Sequence, residues 1–180
     1  MRRFLHVARV EGARWLGALL MIPVATGIGG SSAAALSPQE VVGTWKLLTS
    51  VRQEVATGRT ADNLGAHPNG ILVITPEGRF IIVETGEGRR PAQTVEEFAN
   101  LQKTELAYSG MVSFSADPQN PQALKMINHV DIAWNEEWLN TDQVRTLTLE
   151  GGRLTIKTPP IKNPVSGDLA VSTLVFERTR

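Results

Sequence analysis

The stretch GILVITPEGRFIIVET, Gly70 to Thr85, constrains the fold more than any other. Two runs rich in β-branched and aromatic residues meet at Thr75-Pro76-Glu77-Gly78, where proline presets one backbone dihedral and glycine supplies the permissive one. Such a pattern predicts two antiparallel strands and a tight turn. The same short apolar alternation recurs at Trp45 to Val55, Leu106 to Ala116, Ala123 to Trp134, Gln143 to Glu150, Arg153 to Thr158 and Leu169 to Thr179. Together with the two strands of the hairpin these make eight, spaced by turn residues as in an all-β sandwich or barrel.

One segment breaks the rhythm. TVEEFANLQKTELA, Thr94 to Ala107, places Glu96-Glu97 behind a capping threonine and brings Phe98, Leu101 and Leu106 onto one stripe. It predicts a short helix between the third and fourth strands, its stripe lying against the sheet or over its end. The prolines of Pro159-Pro160 cannot donate to a ladder, so that stretch as far as Asp168 is expected to be a loop.

The N-terminus has a different character. Arg2, Arg3, Arg9 and Arg14 precede an apolar run from Trp15 to about Ile28, followed by small residues ending Ala33-Ala34-Ala35. This layout predicts a signal peptide over residues 1–35, with the barrel domain over 36–180. The alternative is a retained membrane anchor, but the run is short against the roughly 20 apolar residues that a spanning helix needs. After removal, no stable membrane anchor is expected. Arg2-Arg3 leaves twin-arginine export open beside Sec export.

The chain has no cysteine, which excludes disulfides, Cys-zinc sites and thiol chemistry. Its 18 basic and 18 acidic side chains balance, and the excess of arginine before residue 36 leaves the remainder weakly acidic. Such a domain lacks the basic footprint of a nucleic-acid partner. His67 and His129 supply too few ligands for zinc, so no metal is expected, nor any cofactor, since no phosphate loop or dinucleotide fingerprint occurs.

Side chains alternate across a strand, so the more apolar face of each is expected inside. In the first strand this puts Trp45, Leu47, Thr49, Val51 and Gln53 inward and Ser50, Arg52 and Glu54 outward. In the last, Leu174, Phe176 and Arg178 point inward. First and last strands are neighbours in a closed barrel, so Arg178 is expected to lie across the Trp45 ring in a cation–π contact that plugs one end. A solvated terminal arginine is the alternative.

Gly43-Thr44-Trp45 opening the first strand and Arg178 closing the last resemble the Gly-x-Trp and arginine pair of the calycin barrels, lipocalins and their relatives. The ordered series VVGTWKLLTS, GILVITPEGRF, AYSGMVSF, INHVDIAW and TDQVRTLTLEGGRLTIKT resembles more specifically the lipocalin-like domain family of bacteria and fungi. The resemblance runs over nearly all of residues 40–180 and suggests a bacterial exported member. It implies an eight-stranded antiparallel barrel whose interior can hold one small molecule. It also implies two successive histidines where this chain has Asn128-His129. Asparagine hydrogen-bonds but cannot act as a general base there.

In the middle strands, Met126, Asn128, Val130, Ile132 and Trp134 share the inward face, and so do Gln143, Arg145, Leu147 and Leu149 of the next strand. An interior guanidinium is costly unless something anionic pairs with it, and these faces offer no carboxylate. Two explanations stay open: Arg145 grips the oxyanion of a ligand, or it reaches a glutamate such as Glu84 or Glu105. Tyr108 is a further candidate. His129 and Asp131, two residues apart, are expected to face outward.

The expectation is therefore an exported, periplasmic or extracellular binder of a small hydrophobic or amphipathic molecule, an anionic one where Arg145 grips it. Arg145, Gln143, Asn128, Tyr108 and Trp134 would form the ligand-binding set, and Leu47, Val51, Met126, Val130, Ile132, Leu147 and Phe176 the walls. Trp134 and Trp138 would flank the mouth. Two alternatives are a cofactor-free cyclase or isomerase with unknown catalytic residues, and a filled structural barrel without ligand. Neither ligand identity nor oligomeric state is legible.

Overall fold

The computed structural model describes residues 35–162 and 167–179; the expected signal peptide lies outside the described residues. Ten strands form one antiparallel sheet: β1 (Gly43–Glu54), β2 (Thr60–Asp62), β3 (Asn69–Ile74), β4 (Arg79–Thr85), β5 (Glu105–Asp117), β6 (Asn120–Ala133), β7 (Asp142–Glu150), β8 (Arg153–Lys157), β9 (Ile161–Lys162) and β10 (Leu169–Arg178). Their order is β2-β1-β3-β4-β5-β6-β7-β8-β10-β9, and β1 also pairs with β10. That last pairing closes eight strands into a barrel and removes the open edges. The short strands β2 and β9 extend one rim, where β9 occupies part of the expected Pro159–Asp168 loop by pairing with β10.

A single helical turn, α1 (Pro38–Val41), leads into β1, and α2 (Val95–Lys103) joins β4 to β5. Thr94 caps α2, accepting from the Glu97 amide at 3.1 Å, while Glu97 accepts from the Thr94 amide at 3.1 Å. These two bonds satisfy N-terminal donors that have no partner within the helix. The stripe does not bury itself as expected: Phe98 is 70% exposed, Val95 is 89% exposed, and no residue of α2 is buried. The helix is held by its capping and its two chain connections more than by packing. No described helix is long and apolar enough to cross a membrane.

Two irregularities in the ladders reset the inward face. Between Leu47 and Thr49 the register of β1 against β10 shifts, so one residue is extra. Trp45 and Leu47 point inward before it, and Ser50 is buried after it. A bulge inserts one residue and so exchanges the two faces of everything beyond it. Val51 consequently leaves the interior, contrary to the unbroken alternation, and Ser50 and Arg52 enter it. A second shift, between Ser109 and Gly110 of β5, skips Asp131 of β6. Beyond it Ile132, expected as a wall, is 63% exposed. Gly110 is required here, because a Cβ on it would collide with the His129 carbonyl oxygen.

The core fills the end of the barrel at which β1 begins. Val41, Trp45, Leu72, Ile74, Leu154 and Phe176 are all buried there. The Trp45 indole N–H donates to the Val41 carbonyl at 2.9 Å, and the Arg178 guanidinium lies over the ring with its carbon 4.1 Å from the centroid. Arg178 also donates to the carbonyls of Val42 and Glu40, and thereby staples α1 to the closing strand.

Candidate functional site

Away from the Trp45 end, the interior is not filled. A cavity of about 220 Å³ is lined on its apolar side by Phe80, Ile82, Leu106, Met126, Ile156 and Leu174 among others. Its polar groups are Ser50 and Arg52 from β1, Asn63, Glu84 from β4, Tyr108 from β5, Arg145 from β7, Thr158, Lys162 from β9 and Ser172 from β10. Leu47, Val130, Leu147 and Phe176, expected as walls, are buried in the packed core and do not line this space.

Arg145 is only 5% exposed. Its guanidinium donates to the Val144 carbonyl at 2.7 Å, to the Tyr108 hydroxyl at 3.4 Å and to Gln143 Oε1 at 3.5 Å, and it lies 6.0 Å from the Trp138 ring. Every one of these partners is neutral. Glu84 is the carboxylate the sequence reading left open. The inward face of β4 is Phe80, Ile82 and Glu84, each of them buried, while Ile81 and Val83 face solvent. Glu84 is 2% exposed, its Oε1 has no hydrogen-bond partner, and it forms no ion pair with Arg145. The other candidate, Glu105, pairs instead with Arg89 at 3.2 Å.

Burial dominates the chemistry of Glu84. Loss of hydration raises its pKa to about 8, and the Arg145 charge offsets only part of that rise. Near neutral pH the side chain is therefore mostly a neutral acid, and Arg145 remains a cation without a bound counterion. The Tyr108 hydroxyl is also pushed upward, first by burial, and stays protonated. What results is a pocket wall carrying one buried positive charge, Arg145, beside the more exposed Arg52 and Lys162, with one acidic O–H and one phenolic O–H set among apolar carbon.

The remaining expected residues are distributed unequally around this cluster. Asn128 is fully buried and its amide faces the Tyr108 hydroxyl at 3.5 Å, but it stands behind the cavity wall, and its Oδ1 has no partner. Gln143 donates to the Thr141 hydroxyl at 2.9 Å and accepts from Arg145, also outside the cavity lining. Both orient the residues that do face the space. Trp134 does not reach it; its ring meets Trp138 edge-on at 5.1 Å, and Trp138 lines the cavity and in turn meets Tyr108 at 5.1 Å.

On the outer surface, His129 joins two residues that sequence reasoning did not associate with it. Its Nδ1 lies 2.7 Å from Asp142 and its Nε2 lies 3.2 Å from the Ser113 hydroxyl. Asp131 is instead held by Arg79, which also donates to the Ser109 hydroxyl, and this guanidinium lowers the Asp131 pKa. The serine, histidine and aspartate are in the order of an acyl-transfer triad. Yet they come from the outward faces of three paired strands, whose backbone N–H groups serve the ladders and not an oxyanion. Among the described residues no cluster of histidine and carboxylate side chains is fit to hold a metal ion.

A comparison with curated proteins found no match. Residues 42–179 match the family described as lipocalin-like domain, from the residue before Gly43-Thr44-Trp45 to the residue after Arg178. With the closed eight-stranded barrel and the Trp45–Arg178 contact in place, this chain belongs to the lipocalin-like domain family.

Proposed function

We propose that this chain is an exported barrel, periplasmic or extracellular, that holds one small apolar or amphipathic molecule whose polar end is an oxyanion. The observation that carries the reading is the unneutralised Arg145 on the wall of a partly apolar cavity. Pockets of this kind join an apolar body to a few fixed polar groups that orient the ligand. Arg145 and Tyr108 contact the ligand in this reading, with Asn128 and Gln143 holding those two in place. A dry apolar cavity of roughly 150 Å³ takes up benzene, so a cavity of about 220 Å³ suits a single ring or a short chain. The same space speaks against a filled structural barrel.

Export rests on the arginine-rich and apolar layout of residues 1–35, read as a signal peptide that is removed to leave the domain at 36–180. Native mass spectrometry of the protein purified from its source tests both proposals together. A retained small acid and a mature N-terminus near Leu36 are expected; an empty barrel with an intact leader would sink them.

A second reading, a cofactor-free cyclase or isomerase, draws support from Glu84, an acid whose pKa of about 8 suits proton exchange near neutral pH. Under it, the retained molecule would be found in two isomeric forms, and Glu84→Gln would leave only one.

A further inference from the structure

The cavity is lined by two buried polar groups, Glu84 and Arg145, that form no hydrogen bond or ion pair with each other. Glu84 has an unpartnered Oε1 at 2% exposure, and Arg145 donates only to neutral oxygens at 5% exposure. Both line the same space, on β4 and β7. Orphaned polar atoms inside a protein are rare because each forfeits its hydration. A group in the cavity that accepts a hydrogen bond and carries a negative charge would meet both the cavity-lining carboxyl of Glu84 and the guanidinium.

We propose that Glu84 and Arg145 act as a two-sided clamp for a monoanion: the guanidinium pairs with an oxyanion of the ligand while the protonated Glu84 carboxyl donates its O–H to the same group, so that the barrel binds the anion together with a proton. This rests on the small-molecule reading above and narrows it to amphipathic monoanions such as carboxylates. The proton stays on Glu84 throughout and no bond is made or broken. If Glu84 were ionised, the cavity would present a carboxylate to a carboxylate, and the ligand's attraction to Arg145 would be cancelled.

The other charged or titratable groups facing this space are Tyr108 from β5, Arg52 from β1 and Lys162 from β9. Tyr108 remains neutral, and among charged groups only Arg145 acts on Glu84. Proton occupancy of Glu84 therefore follows its burial and this single cation. Because its pKa stands at about 8, the acid form prevails at neutral pH and is lost in mild alkali.

Calorimetric titration of the barrel with octanoate and with 1-octanol, from about pH 6 to about pH 10, tests the clamp. Octanoate stays ionised across this range, so any change in its affinity reports the protein. The expected result is tight octanoate binding at the acid end and a loss of about tenfold in affinity per pH unit beyond the Glu84 midpoint, with a proton taken up on binding there. In Glu84→Gln the amide keeps a donor but has no proton to lose, and the pH dependence should vanish whatever the affinity. Arg145→Met should lose octanoate and keep octanol.

Octanoate affinity that is flat with pH in the wild-type barrel, or that falls equally in Glu84→Gln, overturns the clamp and leaves the binding reading standing. Octanol binding without octanoate overturns the clamp together with the oxyanion end of the ligand, and leaves a barrel that binds neutral amphiphiles. If no member of a straight-chain acid and alcohol series binds, the clamp and the small-molecule reading fall together.

Discussion

The guanidinium of Arg178 covers the indole of Trp45 at 4.1 Å and donates to the Val42 carbonyl at 2.7 Å, so one side chain ties the last strand to the segment that opens the first. Both residues sit where β1 and β10 pair, and Trp45 stands directly opposite Arg178 in the register. The contact thus seals the seam where the first and last long strands close the barrel.

Removing that seal should weaken the whole fold. A cation–π contact contributes about 0.5–2 kcal/mol, and a hydrogen bond from a charged donor about 1.5–3 kcal/mol. Arg178→Met should therefore lower unfolding free energy by about 2–4 kcal/mol, measured by urea denaturation. Gly43→Ala should act on the same place: Gly43 has φ +139, and a Cβ on it would strike the Arg178 guanidinium. The two substitutions should be strongly non-additive, since the second disrupts what the first removes.

Glu84 makes stability depend on pH in a direction opposite to that of carboxylates paired or hydrogen-bonded in the native state. Its folded pKa, about 8, lies above the ordinary value of 4.5. Between those two values the folded chain holds a proton that the unfolded chain has released, so stability falls as pH rises through that window. The contribution of the neutral acid is fully present below the lower value, and no further change occurs above the upper one. The stability of Glu84→Gln minus that of the wild type should rise steadily across this window, by a few kcal/mol in all, when Tm is followed in parallel. A difference that is flat with pH would mean that Glu84 is ionised in the fold.

Sequence reasoning named Glu84 as a possible partner of Arg145 but did not place it on an inward face, and the reason is parity. In RFIIVET both faces of the strand are apolar for most of its length, Phe80 and Ile82 against Ile81 and Val83, so the rule that the apolar face goes inside has nothing to choose between. Asn128, Arg145, Leu174 and Phe176 were legible because their strands alternate cleanly. Ser50, Arg52 and Ile132 were not, because each lies beyond a bulge, and a bulge depends on how two distant strands pair. Trp45 and Arg178 could be matched from the sequence because closure of a barrel makes its first and last strands neighbours. The Ser113–His129–Asp142 cluster needs the register of three strands, which no single strand's pattern contains.

Arg145 should be a burden on the empty barrel. Replacing a buried ion by an apolar side chain of similar volume is often stabilising by about 1–4 kcal/mol. Arg145→Leu is therefore expected to raise the stability of the ligand-free protein while eliminating any retained anion. Because the Arg145 charge is what restrains the Glu84 pKa, the same substitution should move the Glu84 titration further upward. Carbon-13 NMR of the Glu84 carboxyl would register that shift directly, and an unmoved midpoint would show that the two groups are not coupled.

The outward triad yields the last prediction. Ser113, His129 and Asp142 have the order needed to activate a hydroxyl, with contacts of 3.2 Å and 2.7 Å. Activation alone is the smaller part of acyl transfer. The larger part is stabilisation of the oxyanion by donors fixed in a site from which water is excluded. Here His129 and Asp142 have side chains 49% and 62% exposed, and the surrounding amides are spent on the ladders that pair β5, β6 and β7. Hydrolysis of p-nitrophenyl acetate should thus be the same in the wild type and in Ser113→Ala. Since exposed ion pairs contribute little, His129→Gln should change stability by no more than about 0.5 kcal/mol. Burst release of p-nitrophenol that disappears in Ser113→Ala would identify a nucleophile on this face and move the chemistry from the barrel's interior to its wall.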